Sequence, residues 1–293
     1  MKLAPVTPAR PGDAVVVTGS SSGMGEDAAR FLNELGYHVF AGVRKPEDGE
    51  RVRALATNRD AFTPVLLDIT RPEQIADAVR EVESTLPSGR GVRAVFSNAG
   101  IATFDGDVSC EGQSDERLAQ VVAVDFLGGV RFVRAFLPLV RKERGTVVVN
   151  SAMMTKVVIP FNGGYAASKS ALETWTLSLR REIAGLGVRV STIRPGAVAT
   201  ALASHQHPDQ VPADSLYPQQ RAVVDRFIGG MAKHRDDPHC SPRRVSELVA
   251  RIIATEKPKA HYAVGGGHRA LTVIGGLPDP AQAFLLKRML MRG

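Results

Sequence analysis

The sequence predicts an α/β protein: a doubly wound parallel sheet in a single domain (1–293), with a substrate lid toward the C-terminus. Three observations carry this. Short, β-branched apolar runs alternate with helix-spaced segments from residue 14 onward. The runs are apolar throughout rather than alternating, as in strands covered on both faces. The first run passes directly into a glycine-rich turn that opens a helix, TGSSSGMG (18–25).

AVVVT (14–18) is the first strand, and Met24, Ala28, Phe31, Leu32 and Leu35 give residues 24–35 an apolar helical face ended at Gly36. HVFAGV (38–43) reads as the second strand and AFTPVLLD (61–68) as the third. A helix over about 72–86 starts on Pro72, where the missing N–H costs nothing. VRAVFSN (92–98) is the fourth strand, 114–142 one long helix, GTVVVNS (145–151) the fifth strand, and 163–186 another helix. VRVSTIRPG (188–196) is the sixth strand and its exit. This completes a cofactor-binding and catalytic core over 13–198. Residues 199–241, rich in His, Pro, Gln and Asp, read as a lid with a helix near 216–233. A helix (242–255), a short strand (260–264) and an apolar tail (270–291) follow. Right-handed crossovers wind such a sheet in both directions and bind ligands beyond the carboxyl ends of its strands, as in a Rossmann fold.

The 293 residues are 44% hydrophobic and 23% charged, enough apolar content for a sizeable core. No apolar stretch reaches the length of a membrane span, since His268 and Arg269 interrupt the most apolar late segment. The first residues, MKLAPVTPARPGD, are too short and proline-broken for a signal peptide, so a cytoplasmic location is expected. Cys110 and Cys240 lack paired spacing, which suggests neither a metal site nor a disulfide framework. The net charge of +7 comes from dispersed basic pairs without interleaved aromatics, so no nucleic-acid partner is expected.

The turn after the first strand is placed to bind a pyrophosphate. Gly19 permits the tight turn, Gly23 lets backbone approach the phosphates, and Gly25 allows helix and strand to pack. Ser22, Met24 and the helix N-terminus then face the anion with free N–H groups. An acidic residue at the end of the second strand would bind a ribose 2′-hydroxyl; this chain has Arg44 and Lys45 there, with Ser21 nearby. They suit a 2′-phosphate, which favours NADP(H) over NAD(H), or they are plain surface charges. Asp68 and Ile69, at the end of the third strand, are expected near the adenine.

In YAASK (165–169), a four-residue spacing puts Tyr165 and Lys169 on one helical face. A phenol needs roughly 4 kcal/mol of preferential stabilisation to drop its pKa by about three units, and a nearby ammonium and nicotinamide cation can supply it. SNAG (97–100) after the fourth strand and RPGAVAT (194–200) after the sixth complete an ordered set. Together these motifs resemble the short-chain dehydrogenase/reductase family over about residues 13–200. The stretch PFNGGYAASKSALE (160–173), with YAVGGG (262–267), is similar to its hydroxysteroid- and retinol-dehydrogenase-like branch.

The resemblance implies that Tyr165 is the proton donor or acceptor, and that Lys169 lowers its pKa and holds the nicotinamide ribose. It implies that Asn98, Ala99 and Gly100 line the adenosine side while Pro195, Gly196, Val198 and Thr200 cradle the nicotinamide. A homodimer or homotetramer is implied through the long helix and the helix after Tyr165. Two positions depart from the family. Ala152 stands where a serine usually bonds the reacting carbonyl, with Ser151 one place early, and Asp125 replaces an asparagine. Loss of one oxyanion donor typically costs on the order of 10²–10³ in rate. An ionised Asp125 about 6 Å from the phenol would oppose a tyrosinate by roughly 2–3 kcal/mol at an effective dielectric near 20. Three explanations stay open: a local shift brings Ser151 or Thr155 to the carbonyl; redox chemistry proceeds without the serine; or the bound cofactor is scaffolding for a non-redox step (cyclisation, elimination) or a binding role. Tyr165, Lys169, Ser151 and Asp125 are thus the catalytic candidates. Ala152, Met153 and Phe161 are the substrate candidates, and with Met154, Val157, Val158 and Ile159 they suit a bulky hydrophobic ketone or alcohol or serve as core. His205 and His207 in the lid either meet substrate or face water.

Overall fold

Alternation along each strand explains how one sheet builds two cores. Val15 and Val17 of β1 (Ala14–Thr18) face one side, while Ala14 and Val16 face the other. The computed structural model describes residues 3–101, 107–200, 216–217, 219–233 and 237–290. Within them, β1 is joined by β2 (His38–Val43), β3 (Phe62–Leu66), β4 (Ala94–Ser97), β5 (Thr146–Asn150), β6 (Arg189–Pro195) and β7 (His261–Val264). All pairings are parallel, in the order β3-β2-β1-β4-β5-β6-β7.

On one face, Val16, Phe40, Val65, Val95, Val147 and Val190 pack against α3 (Pro72–Thr85), α5 (Gly129–Lys142) and α6 (Gly163–Glu182), with Phe132 and Phe136 fully buried. On the other, Val15, Val17, Val39, Phe96 and Ile193 meet α1 (Gly23–Glu34), α2 (Pro46–Ala54) and α8 (Pro242–Ala254). Truncating a buried phenylalanine of such a layer typically costs 3–5 kcal/mol.

The chain winds outward from β1 to β3, then returns to place β4 on the other side of β1. Loops after β1 and β4 therefore diverge and leave a crevice at their carboxyl ends, the expected ligand position in a doubly wound sheet. Strand positions match the sequence reading within a few residues.

The long helix expected at 114–142 is different. It is α4 (Asp115–Val122), a six-residue π turn (Ala123–Gly128) and then α5. Apolar spacing runs through without a break, so periodicity alone does not reveal the widened turn. The apolar tail is two helices, α9 (His268–Ile274) and α10 (Asp279–Leu290), separated around Gly275, Gly276 and Pro278. Within 199–241, expected to form a lid, α7 (Gln219–Lys233) is present, while His205 and His207 lie outside the described residues.

Candidate active site

The glycine loop is shaped by what its residues touch. Gly19 sits at φ +67°, and a Cβ there would come within 2.9 Å of the Ala99 Cα. A Cβ on Gly25 would lie 2.1 Å from the Gly19 carbonyl oxygen, so only glycine allows α1 to start this close to β1. Ser22 caps α1 without a side-chain hydrogen bond. The first N–H groups of α1 thus keep no side-chain acceptor, and the loop fits a pyrophosphate. Thr200 lies over Gly23, 3.1 Å from where its Cβ would be.

The turn after β4 is stapled to this loop. Asn98 and Ala99 both donate their backbone N–H to the Thr18 hydroxyl, at 2.9 and 3.0 Å. The Asn98 amide donates to the Thr18 carbonyl at 3.1 Å and accepts from Asn150 at 3.0 Å. Pro195, Gly196 and Val198 leave β6 beside the Gly265–Gly267 turn, with Ala197 and Gly266 exchanging backbone hydrogen bonds.

At the adenosine end, Arg44 and Lys45 are exposed beyond β2. Asp68 accepts from the Thr70 N–H and hydroxyl. Burial raises its carboxyl, but those bonds and the Arg44 charge outweigh this and hold it below the usual carboxylate range. The Ile69 side chain is buried in the core against Gly128 rather than presented to the crevice. Sequence reasoning missed Arg51, whose guanidinium reaches the Ser21 carbonyl and lies 3.1 Å from Glu26. Its place on α2, far from any motif, gave no signal.

Tyr165 and Lys169 share one face of α6, with the Lys169 Nζ 5.7 Å from the phenol ring centroid. Tyr165 is half-buried and Lys169 almost fully buried. Asp125, 1% exposed, joins them: its Oδ1 lies 3.6 Å from the Lys169 Nζ and accepts the Ile101 N–H at 2.9 Å. Gly100 makes this approach possible, because a Cβ there would sit 2.8 Å from Oδ1 and 2.9 Å from Nζ. Burial pushes the Asp125 acid upward, and Lys169 and Ile101 only partly counter it. Burial pushes the Tyr165 hydroxyl well above its ordinary value, and an ionised Asp125 would push it further. The π turn is what brings Asp125 inward, and such turns concentrate at functional sites.

Ser151 and Thr155 are engaged elsewhere. Ser151 donates to Glu173 at 2.9 Å, and Thr155 lies within hydrogen-bonding reach of both the Ala152 carbonyl (2.9 Å) and Glu173 (3.1 Å). The Ser151 N–H stays in register with β6 through the Ile193 carbonyl, so the strand has not slipped. The local shift that would bring either hydroxyl to a substrate carbonyl is therefore absent from this structure. Glu173, which the sequence analysis did not single out, also takes the Arg194 guanidinium at 3.0 and 3.2 Å from Nε and through Nη2.

On the substrate side, Ala152 and Met153 are buried beside a short 3-10 turn (Met153–Thr155). Phe161, at φ +63°, is packed with Val108, Val223, Val224 and Tyr217. Val157 and Ile159 join Ile274 and Leu286, whereas Val158 is exposed. Asn162, three residues before Tyr165, is 2% exposed, and neither amide atom finds a partner among the described residues. Among those residues, no group of histidine, cysteine and carboxylate side chains could hold a metal ion, and no helix is long and apolar enough to cross a membrane.

Comparison with known proteins agrees with this geometry. The family model described as short chain dehydrogenase matches residues 13–211. The chain is 32% identical over 252 residues to the "Uncharacterized oxidoreductase YbbO" of Escherichia coli (strain K12), covering 86% of this chain and 85% of that one. It is 37% identical over 266 residues to the 17-beta-hydroxysteroid dehydrogenase type 2 of Homo sapiens, covering 87% and 67%. Its fold resembles an alcohol dehydrogenase from the archaeon Thermococcus sibiricus complexed with 5-hydroxy-NADP, with a TM-score of 0.70, 22% identity, and 87% and 97% coverage. A crevice built from TGSSSGMG, SNAG and YAASK, together with these matches, makes the chain a member of the short-chain dehydrogenase family of oxidoreductases, in its hydroxysteroid- and retinol-dehydrogenase-like branch.

Proposed function

We propose that this protein is an NADP(H)-dependent oxidoreductase acting on a bulky hydrophobic ketone or alcohol. The observation that carries the reading is the Tyr165–Lys169 pair, held on α6 beside a glycine cradle that a pyrophosphate fits. When bound, the nicotinamide supplies or takes up the hydride. Tyr165 gives its proton to the substrate oxygen during reduction and recovers it during oxidation. Lys169 orients the ribose and lowers the cost of a tyrosinate. Arg44 and Lys45, exposed at the end of β2, with Arg51 of α2 and Ser21 nearby, favour a 2′-phosphate, although Arg51 is shared with Glu26 and Asp48. The apolar residues after β5 favour a large hydrophobic substrate. A cytoplasmic homodimer or homotetramer belongs to the same reading.

Reduced-nicotinamide absorbance followed across a panel of hydrophobic ketones tests it. Turnover should fall by about 10²–10⁴ in Tyr165→Phe, with NADPH still bound. Arg44→Ala should weaken NADPH by about ten- to a hundredfold and leave NADH nearly unchanged, since a charge-assisted bond to phosphate contributes about 1.5–3 kcal/mol; equal losses would remove the 2′-phosphate assignment.

A second reading is favoured by one observation. Ala152 offers no hydroxyl, and both neighbouring hydroxyls are engaged with Glu173 or the Ala152 carbonyl. That arrangement suits a protein whose bound cofactor is scaffolding for a non-redox step. Tight NADPH binding with no oxidation across the panel would favour it.

A further inference from the structure

We propose that Asp125 holds a proton in the resting protein and serves as an internal proton store that refills Tyr165 through Lys169, a role that rests on the redox reading above. The geometry around the two carboxyl oxygens is unequal. Oδ1 accepts the Ile101 N–H and faces Lys169, whereas Oδ2 is buried with no hydrogen-bond partner among the described residues. An ionised carboxylate has about four lone-pair sites to satisfy. Leaving one charged oxygen buried and bare is far more costly than leaving a neutral hydroxyl there. Lys169 does not repair this, because its 3.6 Å separation is longer than a hydrogen bond and lies on the Oδ1 side.

The surroundings keep the proton in. The Asp125 side chain has no exposed surface, and Lys169 is 3% exposed. Gly100 closes over both heads with backbone alone, and the π turn fixes Asp125 in place. Lys169 and Tyr165, both from α6, are the ionisable groups that interact with Asp125 among the described residues; α4 and α5 on either side contribute no charge that shifts it.

During carbonyl reduction the two electrons arrive with the hydride of the proposed activity. The Tyr165 O–H bond breaks as its proton goes to the substrate oxygen. A proton of the Lys169 ammonium then moves to the phenolate. The Asp125 O–H bond breaks in turn, and its proton restores the ammonium. Asp125 is left as a carboxylate, which takes one proton from solvent afterwards. The overall stoichiometry is unchanged at one proton taken up per ketone reduced; only its timing is altered.

Infrared spectroscopy of the full chain decides the resting state without any turnover. At neutral pH we expect the carbonyl stretch of a protonated carboxyl that shifts when the protein is grown on carboxyl-labelled aspartate and is absent from Asp125→Asn. Should that variant fail to fold, a pH titration of the labelled wild-type band makes the assignment. No such aspartate band at neutral pH would overturn the proposal. A second measurement follows one turnover with bound NADPH and a ketone in weakly buffered indicator dye. Loss of reduced-nicotinamide absorbance should precede proton uptake in the wild type and coincide with it in Asp125→Asn; coincidence in both overturns the store. A protonated Asp125 in a protein that turns over no ketone also overturns it, and separates that failure from the infrared result.

Discussion

Asp125 and Glu173 are both buried acids that meet α6, the first at Lys169 and the second from within α6 four residues on. Asp125 receives one backbone N–H and a distant ammonium. Glu173 receives two guanidinium nitrogens of Arg194 and the Ser151 hydroxyl, with the Thr155 hydroxyl also in reach. Burial pushes both carboxyls up, yet Arg194 and Ser151 reverse the balance at Glu173 and hold it below the usual range, while Asp125 stays raised. Asp125 is both the deeper and the less satisfied of the two, and the donors around Glu173 are what outweigh its burial. The same difference sorts their roles: Glu173 ties β5, α6 and β6 together, and Asp125 leaves a group free to change.

Removing the well-satisfied side should do the most harm. Glu173→Gln keeps the shape but leaves Arg194 without its counter-charge, and should cost about 3 kcal/mol in a urea unfolding midpoint. Because the folded Glu173 carboxyl is depressed, its stabilisation is present above the unfolded glutamate pKa and is lost as pH falls through the folded value. The penalty of Glu173→Gln should therefore shrink in acid. A constant penalty would mean that packing rather than charge holds this corner.

Ala152→Ser probes the ground between the two acids. A hydroxyl there should raise ketone reductase kcat by about 10²-fold, the value of one oxyanion donor. No gain in kcat would mean that Glu173 captures the new hydroxyl as it captures that of Ser151.

The smallest expected effect is on stability at the other acid. The folded Asp125 carboxyl is raised, so its contribution favours folding at low pH and is lost as pH rises through the folded value. Asp125→Asn cannot ionise; it should melt a few degrees above the wild type, with the gap widening toward alkaline pH. A gap that narrows would place the carboxylate in a satisfied site and abolish the contrast.

Much of this was legible from the chain itself. Apolar runs such as AVVVT and VRAVFSN can be little but covered strands, and TGSSSGMG can do little but turn tightly before a helix. Tyr165 and Lys169 needed only helical spacing to be placed together. The Glu173–Arg194 pair was hidden because its members lie on different elements, 21 residues apart, and no spacing rule joins a helix residue to one on the following strand. The π turn was hidden for a different reason: an extra residue in one helical turn leaves the apolar rhythm of 114–142 almost untouched. Asn162 carried no sign of its burial, because polar residues ahead of helices normally cap them in solvent.

Phe161 deserves to be read for what it stores. A bulky residue at φ +63° costs on the order of 1–3 kcal/mol, and here its ring, edge-on to Tyr217 at 6.0 Å and packed on α7, holds that cost in place. The tension sits four residues ahead of the phenol. Packing of Phe161 on α7 thus bears directly on the turn that opens the helix carrying the phenol, so a helix remote in sequence helps to set where the acid stands.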